Sequence, residues 1–368
     1  MEASEKKTAE QGETRRDFLE HAAIGTTVAA AAIALPKVAS ATTPASFPMS
    51  KKGHIVRAYH SGATIKTTKQ DKAVVESMLK AALLRLTGES SVGEAMKHFV
   101  KPNDIVGVKL NTLGSPYSTV TAETAFAVAD AVHAAGIAKE NIIIYDQYGS
   151  RMRKAKIRPM PTYKKPQPGQ YQVHFHKNLG YEDKPTDFGA KRKNGKATTS
   201  KLAAVARKCT AVINVCVPKD HDLSGVTGAI KNVAYGNIDS VPKYHCSKEC
   251  VPTCKHGVCN IAKVYSHAQM GGKVRLIVCD ALRVLYHGGP QDKKWREVHN
   301  EIAVTTDPVA MDRIIYEWVD GYRKKHKLKP LAIDRDGRRL PRFIQGAADL
   351  GLGEGDLAKI TQDRIELG

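Results

Sequence analysis

The sequence predicts an α/β fold: a mostly parallel sheet with helices on both faces, plus loop insertions. Two observations carry this. Several short runs are nearly all apolar, as in "NIIIYD" (141–146) and "AVINVCV" (211–217), which is how strands covered on both faces read. These runs alternate with segments of helical period, the order expected of βαβ units.

The elements follow in order. "HIVRAY" (54–59) reads as a strand, and "AVVESMLKAALLRLTG" (73–88) as a helix that stops at Gly88. "DIVGVKL" (104–110) is a strand. "TAETAFAVADAVHAAG" (121–136) is a helix, with Thr121 as N-cap and Gly136 past its end. The strands 141–146 and 211–217 come next, then "VTGAIKNVAYG" (226–236) as a helix. "KVRLIVCD" (273–280) and "EIAVTT" (301–306) are strands, and "DPVAMDRIIYEWVDGYRKKH" (307–326) is a helix. Asp307 caps that helix, Pro308 takes its first position and basic residues fill its last turn. "AKITQDRIEL" closes the chain with a strand.

Ahead of these elements lies "TRRDFLEHAAIGTTVAAAAIALPKVASA" (14–41). Arg15 and Arg16 precede a short, weakly apolar run that ends in an Ala-x-Ala site, Ala39 and Ala41. The segment is similar to a twin-arginine export signal, whose passenger is carried out folded by the twin-arginine translocase. It implies a periplasmic or extracellular protein. The plainer alternative is a surface helix with a chance arginine pair. Residues 1–41 are therefore set aside as signal, 42–53 as linker and 54–368 as a single α/β domain. The apolar run is too short to span a bilayer, and no later run is long and apolar enough.

The whole chain carries +20 formal charges. Residues 1–41 hold five Lys/Arg and six Asp/Glu, so the remainder is +21. Such a balance favours an anionic partner, either a small molecule or a surface polyanion. The charge concentrates in 151–208, with sixteen Lys/Arg against three Asp/Glu in Pro- and Gly-rich sequence. That stretch reads as a solvated, basic, loop-rich insertion. Nucleic acid is disfavoured, because no recognition motif accompanies the charge.

The ends of the strands carry the chemistry. "VKLNT" delivers Lys109 and Asn111, "IIIYDQ" delivers Asp146, and "VCVPKDH" delivers Lys219, Asp220 and His221. "RLIVCD" ends in Asp280 and "IAVTTD" in Asp307. Open parallel sheets bind ligands outside the carboxyl ends of their strands, so these groups are expected to share one site. The competing explanation is a set of independent turn and cap residues. "SGVTGAIKN" adds Thr227, Lys231 and Asn232, and the helix start between Gly225 and Gly228 offers N–H groups to an anion. In this reading Lys109, Lys219 and Lys231 neutralise charge, Asp146 and Asp280 bind a metal or exchange protons, and His221 titrates near neutrality as proton carrier. Asn111, Thr227, Asn232, His245 and Asp307 complete the ligand contacts. Walker, G-x-G-x-x-G and G-x-S-x-G motifs are absent, which leaves nucleotide and serine-hydrolase readings without support.

"VPKDHDLSGVTGAIKN", with the loose match "VKLNT" and the later "VCDALRVLYHGGP", "TTDPVAMDRI" and "AADLGLGEGD", resembles the family called domain of unknown function 362. The resemblance covers roughly 54–366. It implies an α/β fold and a shared polar site without an established reaction. Some members are labelled iron–sulfur centre proteins, a label that often rests on an appended ferredoxin module. This chain has no such module.

Its own cysteines fall in "HCSKECVPTCKHGVC" (245–259), spaced C-x3-C-x3-C-x4-C. Cys246, Cys250, Cys254 and Cys259 match neither zinc-ribbon nor ferredoxin spacing, and Pro252 breaks any helix that would align them. Disulfides, zinc and an iron–sulfur cluster all stay open, with His245 and His256 as further ligands. Cys209, Cys216 and Cys279 lie in or beside strands and read as core. A c-type haem carrier is disfavoured, because C-x-x-C-H is absent. Two function classes remain: an enzyme or redox protein with an anionic or metal-linked small ligand at the strand edge, and a non-catalytic exported binder of a surface polyanion.

Overall fold

The computed structural model describes residues 51–66, 69–161, 167–191, 197–245 and 260–368. The segment expected to direct export and the four clustered cysteines lie outside the described residues.

The strands in chain order are β1 (His54–Tyr59), β2 (Thr64–Lys66), β3 (Lys69–Gln70), β4 (Val106–Lys109), β5 (Ile142–Asp146), β6 (Gln172–Phe175) and β7 (Thr186–Lys191). They continue with β8 (Ala197–Ser200), β9 (Ala211–Cys216), β10 (Lys219–His221), β11 (Gly225–Thr227), β12 (Val274–Leu285), β13 (Arg296–Thr305) and β14 (Thr361–Glu366). Ten of them form one sheet in the order β14-β1-β13-β12-β9-β4-β5-β6, with β10 and β11 attached beside β12. Neighbours from β12 to β6 run parallel, whereas β13 is antiparallel to both β12 and β1. The α/β architecture expected from the sequence is present, with β13 and the short β11 as the reversed members.

Strand parity splits the core into two layers. Val106 and Val108, Ile142 and Ile144, Ile213 and Val215, and Leu276 and Val278 pack on one face. They meet the Lys72–Thr87 and Ala122–Ala134 helices there. Ile143, Tyr145, Val212, Cys216, Ile277 and Cys279 pack on the other face, against the Ala229–Ala234, Asn260–Ser266 and Pro308–Lys325 helices. Helices cover both faces, which explains the near-absence of alternation in the strand sequences.

The Lys72–Thr87, Ala122–Ala134 and Pro308–Lys325 helices follow the sequence closely, whereas the expected 226–236 helix is shortened to Ala229–Ala234 because Gly225–Thr227 pair as β11. Asp71 caps the first helix through Val74 N, and Gly88 closes it with φ 83°. Thr121 Oγ1 accepts from Thr124 N. Cys209, Cys216 and Cys279 are buried free thiols, as expected. The basic 151–208 stretch supplies more order than loops: β6 extends the main sheet, and β7 pairs with β8. Among the described residues no helix is long and apolar enough to cross a membrane.

The chain runs from β4 to β5 and β6 on one side, then returns to place β9 on the other side of β4. The β4/β9 boundary is therefore a topological switch point, where the connections leave in opposite directions, the position at which open parallel sheets bind ligands outside their strand carboxyl ends.

Candidate functional site

Lys109 is the last residue of β4, opposite Asn214 of β9 and Tyr145 of β5. Its neighbours Val106 and Val108 face one core layer, so Lys109 and Asn214 face the other, beneath the Ala229–Ala234 helix. Lys109 Nζ donates to Asp146 Oδ1 at 2.7 Å, to the Leu110 carbonyl at 2.6 Å and to Asn232 Oδ1 at 3.2 Å. These three bonds use all three ammonium hydrogens. Asp146 Oδ2 accepts from the backbone N–H and the hydroxyl of Thr112, both at 2.6 Å. Burial pushes the Asp146 carboxyl up, but the Lys109 charge and the Lys109 and Thr112 hydrogen bonds outweigh it and hold the acid below its ordinary value.

Asn232 ties the helix to the sheet. Its Nδ2 donates to Asn214 Oδ1 at 2.8 Å and to the Val215 carbonyl at 3.2 Å, and Asn214 Nδ2 donates to the Ala229 carbonyl at 2.8 Å. Gly236 makes room for this: a Cβ there would stand 2.7 Å from Lys109 Nζ and 2.2 Å from the Asn232 carbonyl.

β10 supplies the next group. Lys219 and His221 share one face of the strand by parity, and Asp220 takes the other. Thr227 on β11 stands directly opposite Lys219, so the two side chains project to the same side. Lys219 is fully buried, and its Nζ donates to Asn111 Oδ1 at 2.7 Å. Thr227 Oγ1 is buried without a hydrogen-bond partner among the described residues. Lys231, 7% exposed, lies over the Tyr235 ring at 5.4 Å. His245 stacks on His221 with centroids 5.1 Å apart and meets Tyr235 edge-on at 5.0 Å.

Desolvation pulls Lys219 down to about 7, with Lys109 and Arg151 adding to the fall and Asp146 and Asp292 opposing it. Desolvation also pulls Lys231 down to about 7, helped by the charge of Lys219. His221 falls well below its ordinary value through burial and the charges of Lys231, His245, Lys219 and Arg339. Its Nδ1 accepts from Leu223 N at 3.0 Å and from Ser224 N at 3.3 Å, which places the ring hydrogen on Nε2. The near-neutral titration expected of His221 therefore passes to the two lysines, because burial among cations penalises an imidazolium.

Lys109, Asn111, Asp146, Lys219, His221, Thr227, Lys231, Asn232 and His245 thus collect at the strand carboxyl edge around the switch point. Two expected members do not join them. β12 runs on to Leu285, so Asp280 is mid-strand, and parity with Val278 turns it to the opposite face. There Asp280 Oδ2 accepts from the N–H and hydroxyl of Thr121, both at 2.8 Å. Asp307 caps the Pro308–Lys325 helix through Val309 N and Ala310 N and also accepts from Gly53 N and Glu354 N. Four donors saturate it. The expected anion cradle at the 229–234 helix start is filled as well: the Asp312 carboxylate takes the N–H groups of Ala229 and of Ile230. Asp220 belongs to a separate buried network with Arg339 and Arg323.

Sequence reasoning missed Asp312, which lies one helix away, and the amides and glycine that build the floor (Thr112, Asn214, Gly236). It also missed His176, whose buried Nε2 has no partner among the described residues and whose ring is driven down to about 3 by desolvation and the Lys109 charge. The sequence offered little signal for His176: it follows "QVHF" of β6, a half-polar strand within the stretch taken as insertion.

The residues around the crevice do not suit a metal. Among the described residues no group of three His, Cys, Asp or Glu side chains is placed to hold one. His221 Nε2 carries its hydrogen, and the nearby cations repel a metal ion. Cys246, Cys250, Cys254 and Cys259 lie outside the described residues. In comparisons with known proteins, a family model described as "Domain of unknown function (DUF362)" matches residues 99–317, which span β4 to the Pro308–Lys325 helix and all the site residues named above. No curated protein matches the chain.

Proposed function

Because the chain belongs to the DUF362 family, whose description carries no reaction, we propose a function from the chemistry of the crevice: it binds a small organic anion at the β4/β9 switch point and acts on it as an enzyme. One observation carries this reading. Lys219 and Lys231 are buried, yet among the described residues neither forms an ion pair with a carboxylate. Buried charges are ordinarily paired, so an anionic ligand is the natural partner. The orphan Thr227 hydroxyl and His221 Nε2–H supply neutral donors to the same ligand. Lys109 and Asp146 neutralise each other and serve as the rigid wall. The two lysines, each near neutrality, are the groups suited to exchange protons. A surface polyanion would be gripped by exposed basic side chains, which makes the buried lysines better evidence for a small ligand.

The proposal extends to place and cofactor. The protein is exported by the twin-arginine route, and its four clustered cysteines act as one unit, as disulfides or around zinc or iron–sulfur. Elemental analysis with an absorption spectrum of anaerobically purified protein tests the latter.

Calorimetric titration with inorganic phosphate, sulfate and citrate tests the anion reading. One anion per chain is expected, with affinity falling at least about tenfold in Lys219→Met and in Lys231→Met, since a charge-assisted hydrogen bond contributes about 1.5–3 kcal/mol. Unchanged affinity in both variants would overturn it.

A further inference from the structure

We propose that the Lys231 amine is a nucleophile that forms an imine with a carbonyl-bearing anion, a 2-oxo acid or an anionic aldehyde, seated in this crevice. The inference rests on the anion-binding reading and narrows its substrate class.

The three site lysines are not equivalent. Lys109 Nζ spends its hydrogens on Asp146, Leu110 and Asn232, so it is already fully engaged by the protein. Lys219 Nζ is fully buried and held by Asn111. Lys231 has no hydrogen-bond acceptor among the described residues, retains some exposure and rests on the Tyr235 ring. It is the least buried of the three amines, and no acceptor among the described residues competes for it. Its backbone is fixed twice over, by Asp312 at the helix start and by Asn232 on the adjacent position. Desolvation beside a second cation is how a lysine becomes a nucleophile at neutral pH, and Lys219 is the charge that acts on Lys231.

The step balances with the groups present. The neutral Lys231 amine attacks the carbonyl carbon, and a C–N bond forms while the C=O π pair moves to oxygen. One amine hydrogen passes to that oxygen, leaving a carbinolamine. The Lys219 ammonium then protonates the hydroxyl, the C–O bond breaks, water leaves and the nitrogen lone pair forms the C=N bond. Lys231 ends as an iminium and Lys219 as a neutral amine, so total charge is conserved. Thr227 Oγ1 and His221 Nε2–H are donors for the ligand's oxygens. The imine is an electron sink for a carbanion on the neighbouring carbon, which suits proton abstraction, decarboxylation or carbon–carbon cleavage.

Reductive trapping tests this on the intact chain. The protein is incubated with glyoxylate or with pyruvate and cyanoborohydride, digested and mapped by mass spectrometry, while phosphate binding to the wild type is titrated in parallel. One dominant adduct on Lys231 is expected, suppressed by excess phosphate and absent from a Lys231→Arg chain that keeps the wild-type circular dichroism. Phosphate binding without an adduct on Lys231, or labelling confined to Lys219 or surface lysines, overturns the imine and leaves the anion reading standing. Absence of both overturns both. Because the wild-type map alone locates the adduct, misfolding of the variant does not remove the test.

Discussion

Lys109 Nζ lies 2.7 Å from Asp146 Oδ1, and the two residues close the carboxyl ends of adjacent parallel strands. The pair is buried, so neither charge is dispensable alone. Lys109→Met leaves a buried carboxylate with the Thr112 and Gln147 donors but no counter-charge, and a loss of about 3–5 kcal/mol in urea denaturation is expected. Lys109→Met combined with Asp146→Leu should lose less, since no charge is stranded. The Asp146 acid is depressed in the folded chain. Its contribution is therefore present above the ordinary carboxylate range and lost as pH falls through the folded value, an acid sensitivity that Lys109→Met should blunt.

Lys219 and Lys231 set a pH dependence of opposite kind. Both sit at about 7 in the folded chain, below the ordinary 10.5. Between those values the unfolded chain holds protons that the folded chain does not, so stability of the ligand-free protein should rise with pH across that window. Anion affinity should do the reverse, falling as pH rises above about 7 as the lysines discharge. Calorimetry at pH 8 in buffers of different ionisation enthalpy should register proton uptake on binding.

Gly236→Ala is expected to damage the site without removing a polar group. The new Cβ would meet the Asn232 carbonyl at 2.2 Å and Lys109 Nζ at 2.7 Å, and the backbone contact cannot yield by a rotamer change. Overpacking of this kind costs about 1–3 kcal/mol. Thermal denaturation and phosphate affinity should both fall.

Asp312 fixes the helix that carries Lys231. Asp312→Ala strands the N–H groups of Ala229 and Ile230, at a cost of about 1–3 kcal/mol, and should weaken phosphate binding through displaced Lys231 and Asn232. Desolvation raises the Asp312 acid to about 7 against the two backbone bonds. The folded chain then holds a proton between 3.8 and about 7 that the unfolded chain lacks, so this group's contribution is lost as pH rises through that window. Asp312→Asn, a mimic of the protonated acid, should resemble the wild type more closely at low pH than at high pH.

Arg15 and Arg16 supply the export prediction. Replacing both with lysine should leave full-length precursor in the cytoplasm, measured by fractionation and by the mass of the N-terminus, with wild-type cleavage after Ala41. Normal export of the lysine pair would refute the twin-arginine route.

The strands and helices were legible because burial on both faces leaves an apolar signature in local sequence, and because caps such as Thr121, Asp307 and Gly88 act on neighbours two to four positions away. The same locality explains why Lys109, Asp146, Lys219 and His221 could be read as site residues: each ends or follows a strand, and parallel strand ends share one edge. Asp280 looked identical by that criterion, since an apolar run led up to it. Its direction depended on where β12 stops and on parity with Val278, which pairing with β9 and β13 sets from outside the segment. Asp312 was invisible for a related reason: it fills the 229–234 helix start from 83 positions away, and took the cradle assigned to a ligand. The pKa values of the site were equally beyond local reading. A lysine's charge is governed by its burial and by other cations, and Lys219 and Lys231 acquire both only when β10 and the following helix close over the β4/β9 crevice. Residue type and spacing are local quantities that the chain carries in order, whereas side-chain direction, desolvation and the pairing of charges are properties of the neighbours that folding brings in.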